Sequence, residues 1–521
     1  MKKFNVTGTC VPEKHYMVDL SDKLSQIVCM IENEEYFTIN RARQYGKTTI
    51  LSQIDKKLQG KYTVLRMSFE GVGENAFKND EGFMRFFIKK VARELSFLNK
   101  PESLIQEWSN LTDYSGEEYD DAFDYLGEKI TGLCNNDKQE VILLIDEVDK
   151  SSDNQIFLNF LGMLRNKYLF RQEGRDFTFK SVILAGVYDI KNLKLKLRSD
   201  DERKYNSPWN IASDFNVDMS FSSNEISSML KEYVQDWHTG MDTDQISRAI
   251  HFYTNGYPFL VSRLCKWIDE EGGKIWTADN VKNAVNAILR MDSTLFDDLI
   301  KNVENHLELQ EMLRAILLEG RQFAFVGTDA AIDLGGIFGI FVSKDNFVAI
   351  SNIIFETYLY NHMMSKKHRE DARLSVEENQ FVQNGKLDMP RVLLKFQEIM
   401  KTEYRERDEK FTEQQGRLLF LCFIKPIING TGHYYVEPET RNSTRMDIVI
   451  SYGGEEHIIE LKLWHGQKYR ENGIRQLEGY LDCRNAGRGY LVSFSFLQEK
   501  SSHSGWLSQR ESEKKIFEIQ V

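Results

Sequence analysis

Residues 36–49 read YFTINRARQYGKTT, and this stretch decides the fold of the amino-terminal part of the chain. The aromatic and β-branched residues of Tyr36–Asn40 predict a short strand, and the apolar spacing of Lys47–Leu58 predicts a helix directly after the loop. A strand, a loop and a helix that starts near Gly-Lys-Thr form the context of a P-loop, in which backbone N–H groups surround phosphates. The sequence therefore predicts a nucleotide site at this loop.

The side chains of the loop indicate how a nucleotide would be held. Lys47 is expected to reach the β- and γ-phosphate oxygens, and Thr48 is expected to ligate Mg²⁺. The other candidate nucleotide contacts lie in the same segment: Arg41, Arg43, Gly46 and Thr49. The general pattern begins with glycine, whereas this chain has Arg41 there, so a chance helix start is the alternative interpretation.

A second segment supplies the acids that such a site needs. Val141–Ile145 is entirely apolar, as in a buried parallel strand, and Asp146 and Glu147 follow it. Asp146 would hold Mg²⁺ through its water shell, and Glu147 would act as the general base on the attacking water. A solvated strand end is the alternative for this pair of acids.

The pattern along the chain predicts a multidomain α/β protein. Up to residue 222, strands alternate with helices, which indicates a parallel sheet covered by helices. The predicted strands are Tyr36–Asn40, Thr63–Phe69, Glu140–Ile145, Ser181–Val187 and Asn216–Phe221. The predicted units are a P-loop core (1–222), a helical lid (223–302), a winged-helix-like unit (303–363) with strands at Ile337–Val342 and Asn346–Ile350, a linker with helices (364–410) and an α+β domain (411–521).

Composition narrows the class of protein. The chain has 521 residues, enough for three or four domains, and a formal net charge of −12, so a basic tail or stripe for nucleic acid is absent while a local positive groove is not excluded. The six cysteines lie far apart, without the spacing of a zinc site or a disulfide framework. Neither a signal-peptide pattern nor an apolar run long enough for a membrane is seen, so a cytoplasmic protein without a membrane partner is expected.

The carboxy-terminal domain contains a second chemical pattern. Strands at Met446–Ser451 and His457–Leu463 flank a Gly453-Gly454 turn, which predicts a hairpin. Asp447 and Glu460 are each six residues from this turn, so they should face each other with Cβ atoms about 4.5–5.5 Å apart.

Lys462 lies two residues beyond Glu460, so it should share the same face of the hairpin. Opposed carboxylates repel unless a cation neutralises them, and oxygen ligands suit a divalent metal. A water on that metal could attack a phosphodiester, with Lys462 orienting the water or neutralising charge in the transition state. The alternative is an ordinary solvated sheet face with a neighbouring Glu–Lys pair.

The amino-terminal motifs resemble those of AAA-ATPase-like proteins of the ASCE P-loop class, which are related to STAND and archaeal ATPases. Their P-loop reads approximately R-P-R-R-F-G-K-[ST], so the missing first glycine looks like a family trait, and Ile145–Lys150 is similar to their I-D-E-Y-D-K acidic segment. Gly256-Tyr257-Pro258 resembles the turn with which STAND-type lids approach the nucleotide, and a buried kink between lid helices is the alternative. The resemblance implies a sensor at Tyr188 or Asp189 and an arginine finger at Arg198 or Arg203.

The carboxy-terminal motif resembles the PD-(D/E)XK nuclease superfamily. Gln476 and Tyr480 match the Q-x-x-x-Y motif of its RecB-like branch, and Glu413 and Glu437 match further acidic positions, the latter as a metal ligand. The glycine that usually precedes the aspartate is absent from Ser443–Met446, which leaves the geometry of that loop open.

Together these resemblances imply an ATP-regulated, Mg²⁺-dependent nuclease, with Mn²⁺ as an alternative ion at the nuclease site. Nucleic acid, and DNA in particular, is the expected partner, with a place in mobile-element or antiphage biology by analogy. ATPases of this class often complete their sites with a neighbouring subunit, which favours a homo-oligomer. The alternative function is a nucleotide-dependent switch or nucleic-acid-binding protein whose nuclease-like domain is catalytically silent.

Overall fold

The computed structural model describes residues 2–111, 121–151, 155–187, 209–317, 321–370, 381–383, 385–403, 413–428, 432–436, 448–463, 467–484, 486–495, 504–507 and 514–521. The chain forms two compact units. The first comprises Met1–Leu309 and Ala324–Phe355, and the second comprises Gln310–Phe323 and Glu356–Val521. Residues 303–363, expected as one winged-helix-like unit, are thus divided between them.

The first unit is built on a parallel sheet of four strands with helices on both faces. In chain order its first elements are α1 (Ser21–Glu32), β1 (Phe37–Asn40), α2 (Lys47–Leu58), β2 (Thr63–Ser68), α3 (Asp80–Phe97), α4 (Glu102–Asn110), α5 (Ala122–Asn136), β3 (Val141–Asp146), α6 (Gln155–Gln172) and β4 (Ser181–Gly186). The strand order is β1-β4-β3-β2, so the acid-bearing β3 lies between β2 and β4.

Successive side chains of the strands point to opposite faces of the sheet and are buried in two separate hydrophobic cores. Leu143, Ile145 and Leu184 pack on one face with α3, α5 and α6, where Phe83 and Phe160 are fully buried. The opposite face packs against α1 and α2. Every residue of β3 is buried, which agrees with the apolar run that predicted this strand.

The predicted fifth strand, Asn216–Phe221, is wrong. Its alternating burial is present, since Val217 and Met219 are buried, but residues 216–221 form no strand, and their backbone groups bond to side chains and to Gly256 O. Val217 O accepts a hydrogen bond from Arg41, Ser220 N donates to Asp218, and Ser220 O accepts from Lys23. The alternating pattern predicted correctly which side chains are buried, but it could not show that the segment forms no strand pairing.

The elements that follow along the chain are mainly helices, of which residues 310–317 and 356–370 belong to the second unit. They are α7 (Ser223–Trp237), α8 (Thr243–Thr254), α9 (Pro258–Glu270), α10 (Ala278–Leu289), α11 (Thr294–Glu304), α12 (Leu307–Leu317), α13 (Ala330–Ile337) and α14 (Ile353–Glu370), with the hairpin β5 (Phe341–Lys344) and β6 (Phe347–Ile350) between the last two. The strand predicted at Ile337–Val342 is wrong at its start because Ile337 ends α13. The hairpin turns at Asp345 and Asn346, which both have positive φ, as a type I′ turn requires.

The second unit contains a mixed sheet of six strands, of order β13-β14-β12-β11-β10-β9. Its elements are β7 (Val382–Gln383), β8 (Lys386–Leu387), α15 (Met389–Glu403), α16 (Glu413–Ile428), β9 (His433–Val436), β10 (Ile448–Tyr452), β11 (Glu455–Leu463), α17 (Gln467–Arg484), β12 (Arg488–Phe494), β13 (Ser504–Leu507) and β14 (Lys515–Gln520).

Helices α15 and α16 pack on one face of this sheet, and α17 packs on the other. Phe396 of α15 is buried among sheet residues, so residues 381–403, expected as part of a linker, contribute to the core of this unit. Among the described residues, none of the helices is long and apolar enough to cross a bilayer.

Candidate functional site

The P-loop lies between β1 and the amino terminus of α2, as the sequence predicts. Gly46 has φ +80° and is the residue before α2, so it turns the chain into the helix with a conformation that other residues rarely adopt. It has no side chain to cap the helix, which leaves the first amides of α2 directed toward the loop. These amides and the helix dipole form the kind of surface that binds phosphate.

Lys47 is 6% exposed, and its ammonium group donates to the loop carbonyls of Arg41, at 2.8 Å, and Ala42, at 3.1 Å. Burial lowers the pKa of Lys47, while the carboxylates of Asp149, Glu147 and Asp146 oppose that shift. Three acids therefore lie within electrostatic reach of the P-loop lysine.

Arg41 has a role that the sequence did not indicate. Its guanidinium donates to Asn40 O at 2.8 Å and Val217 O at 2.9 Å, and it lies over the ring of Phe215 at 5.3 Å. In this structure Arg41 joins the loop to the segment after the sheet.

Residues of the helical region that follows the sheet contact the P-loop, and Tyr257 also lies edge-on to the ring of Tyr45 at 4.7 Å. Arg43 Nη1 lies 3.0 Å from Asp298 Oδ2, and Gln44 Nε2 lies 3.2 Å from Thr294 Oγ1. The buried Tyr257 donates its hydroxyl to Arg43 O at 2.6 Å. The Gly256-Tyr257-Pro258 turn thus contacts the P-loop.

Gly256 is required where it stands. It has φ +72°, and a Cβ there would lie 2.1 Å from Phe221 O. Only glycine allows the turn to approach that carbonyl.

Thr49, the other threonine of the P-loop, accepts a hydrogen bond from the backbone N–H of Cys10 at 3.2 Å, so the amino-terminal segment also contacts helix α2.

Asp146, the last residue of β3, and Glu147, which follows it, lie at the same end of the parallel sheet as the P-loop. Asp146 is 4% exposed, and its Oδ1 accepts a hydrogen bond from Glu147 N at 3.0 Å. Glu147 has φ +57°, a strained conformation for a residue with a side chain. Burial and then Asp146 raise the pKa of Glu147, which suits a general base.

The donor set fits a magnesium ion. The Thr48 hydroxyl in the first turn of α2 and the buried carboxylate of Asp146 supply oxygen, the ligand that Mg²⁺ prefers. Such an ion would neutralise charge on the transferred phosphoryl group. Lys47 and the α2 amides would hold the phosphates, and Glu147 would take a proton from the attacking water.

Asp149 is a residue of this site that the sequence analysis did not single out. Both of its carboxylate oxygens accept hydrogen bonds from Val187 N, at 2.6 and 2.8 Å. The available signal was its position in the segment that resembles I-D-E-Y-D-K.

The second candidate site lies on the hairpin of β10 and β11. Ile448 pairs with Ile459 and Tyr452 with Glu455, which is the register that the sequence predicts. Glu460 is fully buried, and Lys462 Nζ lies 2.8 Å from Glu460 Oε1. The register and this Glu–Lys pair are therefore present.

Helix α17 covers the face of the hairpin that carries Glu460. A Cβ at Gly473 would lie 3.3 Å from Lys462 Cγ, so the helix passes directly over that lysine. Gln476 Nε2 donates to the hydroxyl of the buried Tyr480 at 2.6 Å. The structure thus brings Gln476 and Tyr480 to the helix that packs on this face.

A further ion pair on this face was missed by sequence reasoning. Glu460 neighbours Leu491 on β12, and Leu491 neighbours Glu518 on β14. Glu518 accepts two hydrogen bonds of 2.6 Å from Arg470 of α17. The strand of Glu518 had not been predicted, so its partner could not be identified.

Several predicted residues lie outside the part of the chain that the structure describes: Tyr188, Asp189, Arg198, Arg203, Glu437 and Asp447. Glu413 begins α16. Within the described residues, no group of three or more His, Cys, Asp or Glu side chains is placed to hold a metal ion.

Comparison with solved structures finds distant likenesses. A Walker-type ATPase of Pyrococcus abyssi is 13% identical, with a TM-score of 0.44, over 68% of this chain and 99% of that one. The ORC2 protein of Aeropyrum pernix with ADPNP and ADP is 11% identical, with a TM-score of 0.37, over 66% of this chain and 95% of that one. No curated protein matches the sequence.

A family model described as "AAA-like domain" matches residues 22–361. This range contains the P-loop, the acids Asp146 and Glu147 at the end of β3, and helices α7 to α13. The match covers more than half of the chain, and its first part carries the geometry of a P-loop ATPase that binds ATP. The chain therefore belongs to the AAA-like domain family.

Proposed function

We propose that this AAA-like ATPase controls a metal-dependent nuclease formed by the second unit, with DNA as the substrate. The observation that carries the proposal is the Glu460–Lys462 pair on a hairpin of the expected register. Asp447 directly precedes Ile448 in the sequence, and extending the register by one residue would pair it with Glu460. Gln476 and Tyr480, on the helix over this face, support the same assignment.

The chemistry follows from the residue types. Glu460 is a buried carboxylate beside an ammonium group, and with Asp447 it would offer oxygen ligands to Mg²⁺ or Mn²⁺. The ion, when bound, would supply Lewis-acid polarisation of a phosphodiester. Lys462 would orient the attacking water or neutralise charge on the phosphate, because its ammonium group is already held beside Glu460.

The first unit would gate this reaction through its nucleotide state. We propose that ATP bound at Lys47 and Thr48, and its hydrolysis through Glu147, changes the lid and the β5–β6 hairpin region. We favour a packing role for that region over DNA binding because residues 303–363 carry no basic run. A homo-oligomer in the cytoplasm is part of this proposal. Cleavage of incoming DNA would give the place in mobile-element or antiphage biology that the resemblance implies.

The test is cleavage by the full-length protein. Linear DNA, circular DNA and RNA are incubated with Mg²⁺, Mn²⁺ or EDTA, each with and without ATP. The variants Asp447→Ala, Glu460→Gln and Lys462→Ala remove the proposed machinery. Glu455→Gln and Lys386→Ala are matched controls, because they make the same charge changes in an exposed ion pair of the same unit.

We expect metal-dependent cleavage of DNA that is lost in the three site variants, kept in both controls, and altered by ATP. Cleavage that persists in the site variants would refute the assignment of the metal site. A wild-type protein that binds DNA but never cleaves it would favour the alternative, a nucleotide-dependent switch with a silent nuclease-like domain.

A further inference from the structure

Asp149 joins the acid-bearing turn after β3 to the end of β4. It lies in the single helical turn Val148–Ser151, which directly follows Asp146 and Glu147. Its Oδ1 and Oδ2 accept from Val187 N at 2.6 and 2.8 Å. The backbone N–H of Val187, the first residue after β4, thus donates to both carboxylate oxygens of Asp149.

The approach of Asp149 to this strand leaves no room for a side chain. A Cβ at Gly186 would lie 2.6 Å from Asp149 Oδ1 and 2.9 Å from Val148 Cγ2. Both distances are far shorter than ordinary contacts. The end of β4 therefore lies in close contact with the turn that contains Val148 and Asp149, and the absence of a side chain at Gly186 permits this contact.

The same strand end holds the start of the P-loop. Gly186 O accepts a hydrogen bond from Arg41 N at 3.1 Å, and Gly186 pairs with Asn40 in the sheet. A short path of contacts consequently leads from Asp149 through Val187 and Gly186 to Arg41. It crosses from the turn that carries Asp146 and Glu147 to the loop that carries Lys47.

The charge of Asp149 also affects the P-loop lysine. Its carboxylate is the largest of the charge effects that raise the pKa of Lys47 against burial. Asp146, Glu147 and Asp149 lie in four consecutive residues, and like charges so close repel one another. The hydrogen bonds to Val187 N hold the carboxylate of Asp149 in place against that repulsion.

We propose that Asp149 is a positioning residue for ATP hydrolysis, which fixes the distance between the general base Glu147 and the P-loop by clamping the end of β4. Hydrolysis requires the base, the water and the γ-phosphate to be placed within a fraction of an ångström, whereas nucleotide binding relies on the loop amides and Lys47. Loosening the clamp should therefore impair turnover much more than binding.

The experiment compares Asp149→Ala and Asp149→Asn in the full-length protein with ATP and Mg²⁺. Steady-state kcat and KM, the Kd for ADP and the melting temperature are measured for each. Asp242→Ala is the matched control, because Asp242 also accepts two backbone hydrogen bonds, from Asp244 N and Gln245 N at 3.0 Å, at the start of α8.

We expect Asp149→Ala to lower kcat by about tenfold or more, because displacement of a catalytic group by about 1 Å can reduce the rate by at least that factor. The Kd for ADP should change less than threefold. Asp149→Asn keeps one acceptor oxygen and should recover most of the loss. Asp242→Ala should lower the melting temperature and leave kcat unchanged.

Wild-type kcat in Asp149→Ala would overturn the proposal. So would a loss of kcat that only follows the losses of ADP affinity and thermal stability. If Asp149→Asn is folded and as slow as Asp149→Ala, the charge rather than the clamp is what matters, and the positioning role is refuted.

Discussion

Arg43 of the P-loop and Asp298 of helix α11 form an ion pair, with Nη1 and Oδ2 3.0 Å apart. Lys47 is likewise engaged, by the carbonyls of Arg41 and Ala42. Arg43 and Lys47, like Arg41, are expected to contact the nucleotide, and all three have protein partners in this structure. A bound nucleotide would replace these protein partners with phosphate oxygens. The ion pair of Arg43 with Asp298 can be removed by a single substitution.

Asp298→Asn is expected to tighten the binding of ATP and ADP by up to about fivefold, because an exposed ion pair contributes about 0.2–1 kcal/mol. Calorimetric titration with each nucleotide measures the effect. Asp297→Asn makes the same charge change one residue earlier and should leave affinity unaltered. An equal gain in that control would show that net charge, and not release of Arg43, is responsible.

Glu147→Gln should retain nucleotide binding but lower ATP hydrolysis by about 10²- to 10⁴-fold, the usual contribution of a general base. Lys47→Ala should lose binding as well, because its ammonium group is the expected partner of the β- and γ-phosphates. Phosphate release and ADP titration separate the two effects. Unchanged phosphate release in Glu147→Gln would exclude that carboxylate as the base.

Asp137 should make unfolding depend on pH. Burial raises its pKa, but hydrogen bonds from Lys100 and Gln139 lower it more, so the net pKa lies below the usual value. The Lys100 ammonium is 2.8 Å from Asp137 Oδ2, and Thr63 donates to the same oxygen. A carboxyl group with a depressed pKa stabilises the fold above its unfolded pKa, about 3.9, and this contribution is lost as pH falls through the folded pKa.

Asp137→Asn is therefore expected to lower the free energy of unfolding by about 1–3 kcal/mol at pH 7, with the difference shrinking below about pH 4. Denaturant titrations between pH 3 and 8 measure it, and Lys100→Met should show the same trend. A difference that is constant over this range would mean that the charge of Asp137 contributes nothing.

Tyr480→Phe tests the helix that covers the proposed nuclease site. The variant loses the hydrogen bond from Gln476, so stability should fall by only about 0.5–1.5 kcal/mol. DNA cleavage should fall by about tenfold, because the Gln476 amide loses the partner that orients it. Gln476→Ala should reduce cleavage similarly, and full activity in both variants would remove this pair from the site.

Local sequence patterns predicted much of the framework. The strands of the first sheet were placed within about one residue because each is a short apolar run with a turn signal at its end. The register of β10 and β11 followed from the Gly453-Gly454 turn, since a tight turn sets the pairing of its flanking strands. The P-loop and its acids were recognised because their residues are consecutive.

Patterns failed where partners are remote in the chain. The segment 216–221 has the burial of a strand, yet its backbone bonds to Arg41, Asp218 and Lys23. Strands β13 and β14 and the core role of α15 were also missed. Their residues are positioned by contacts with distant strands, which periodicity does not reveal.

The sequence by itself determined that this chain carries a P-loop followed by a buried acid-bearing strand, and that a Glu–Lys pair lies on a later hairpin. Each of these depends on residues that are neighbours along the chain. Only the tertiary structure decided that Asp298 pairs with Arg43, that Asp149 clamps Val187, and that Arg470 holds Glu518. Such contacts join groups that are separated by tens to hundreds of residues, and only packing of the folded chain brings them together.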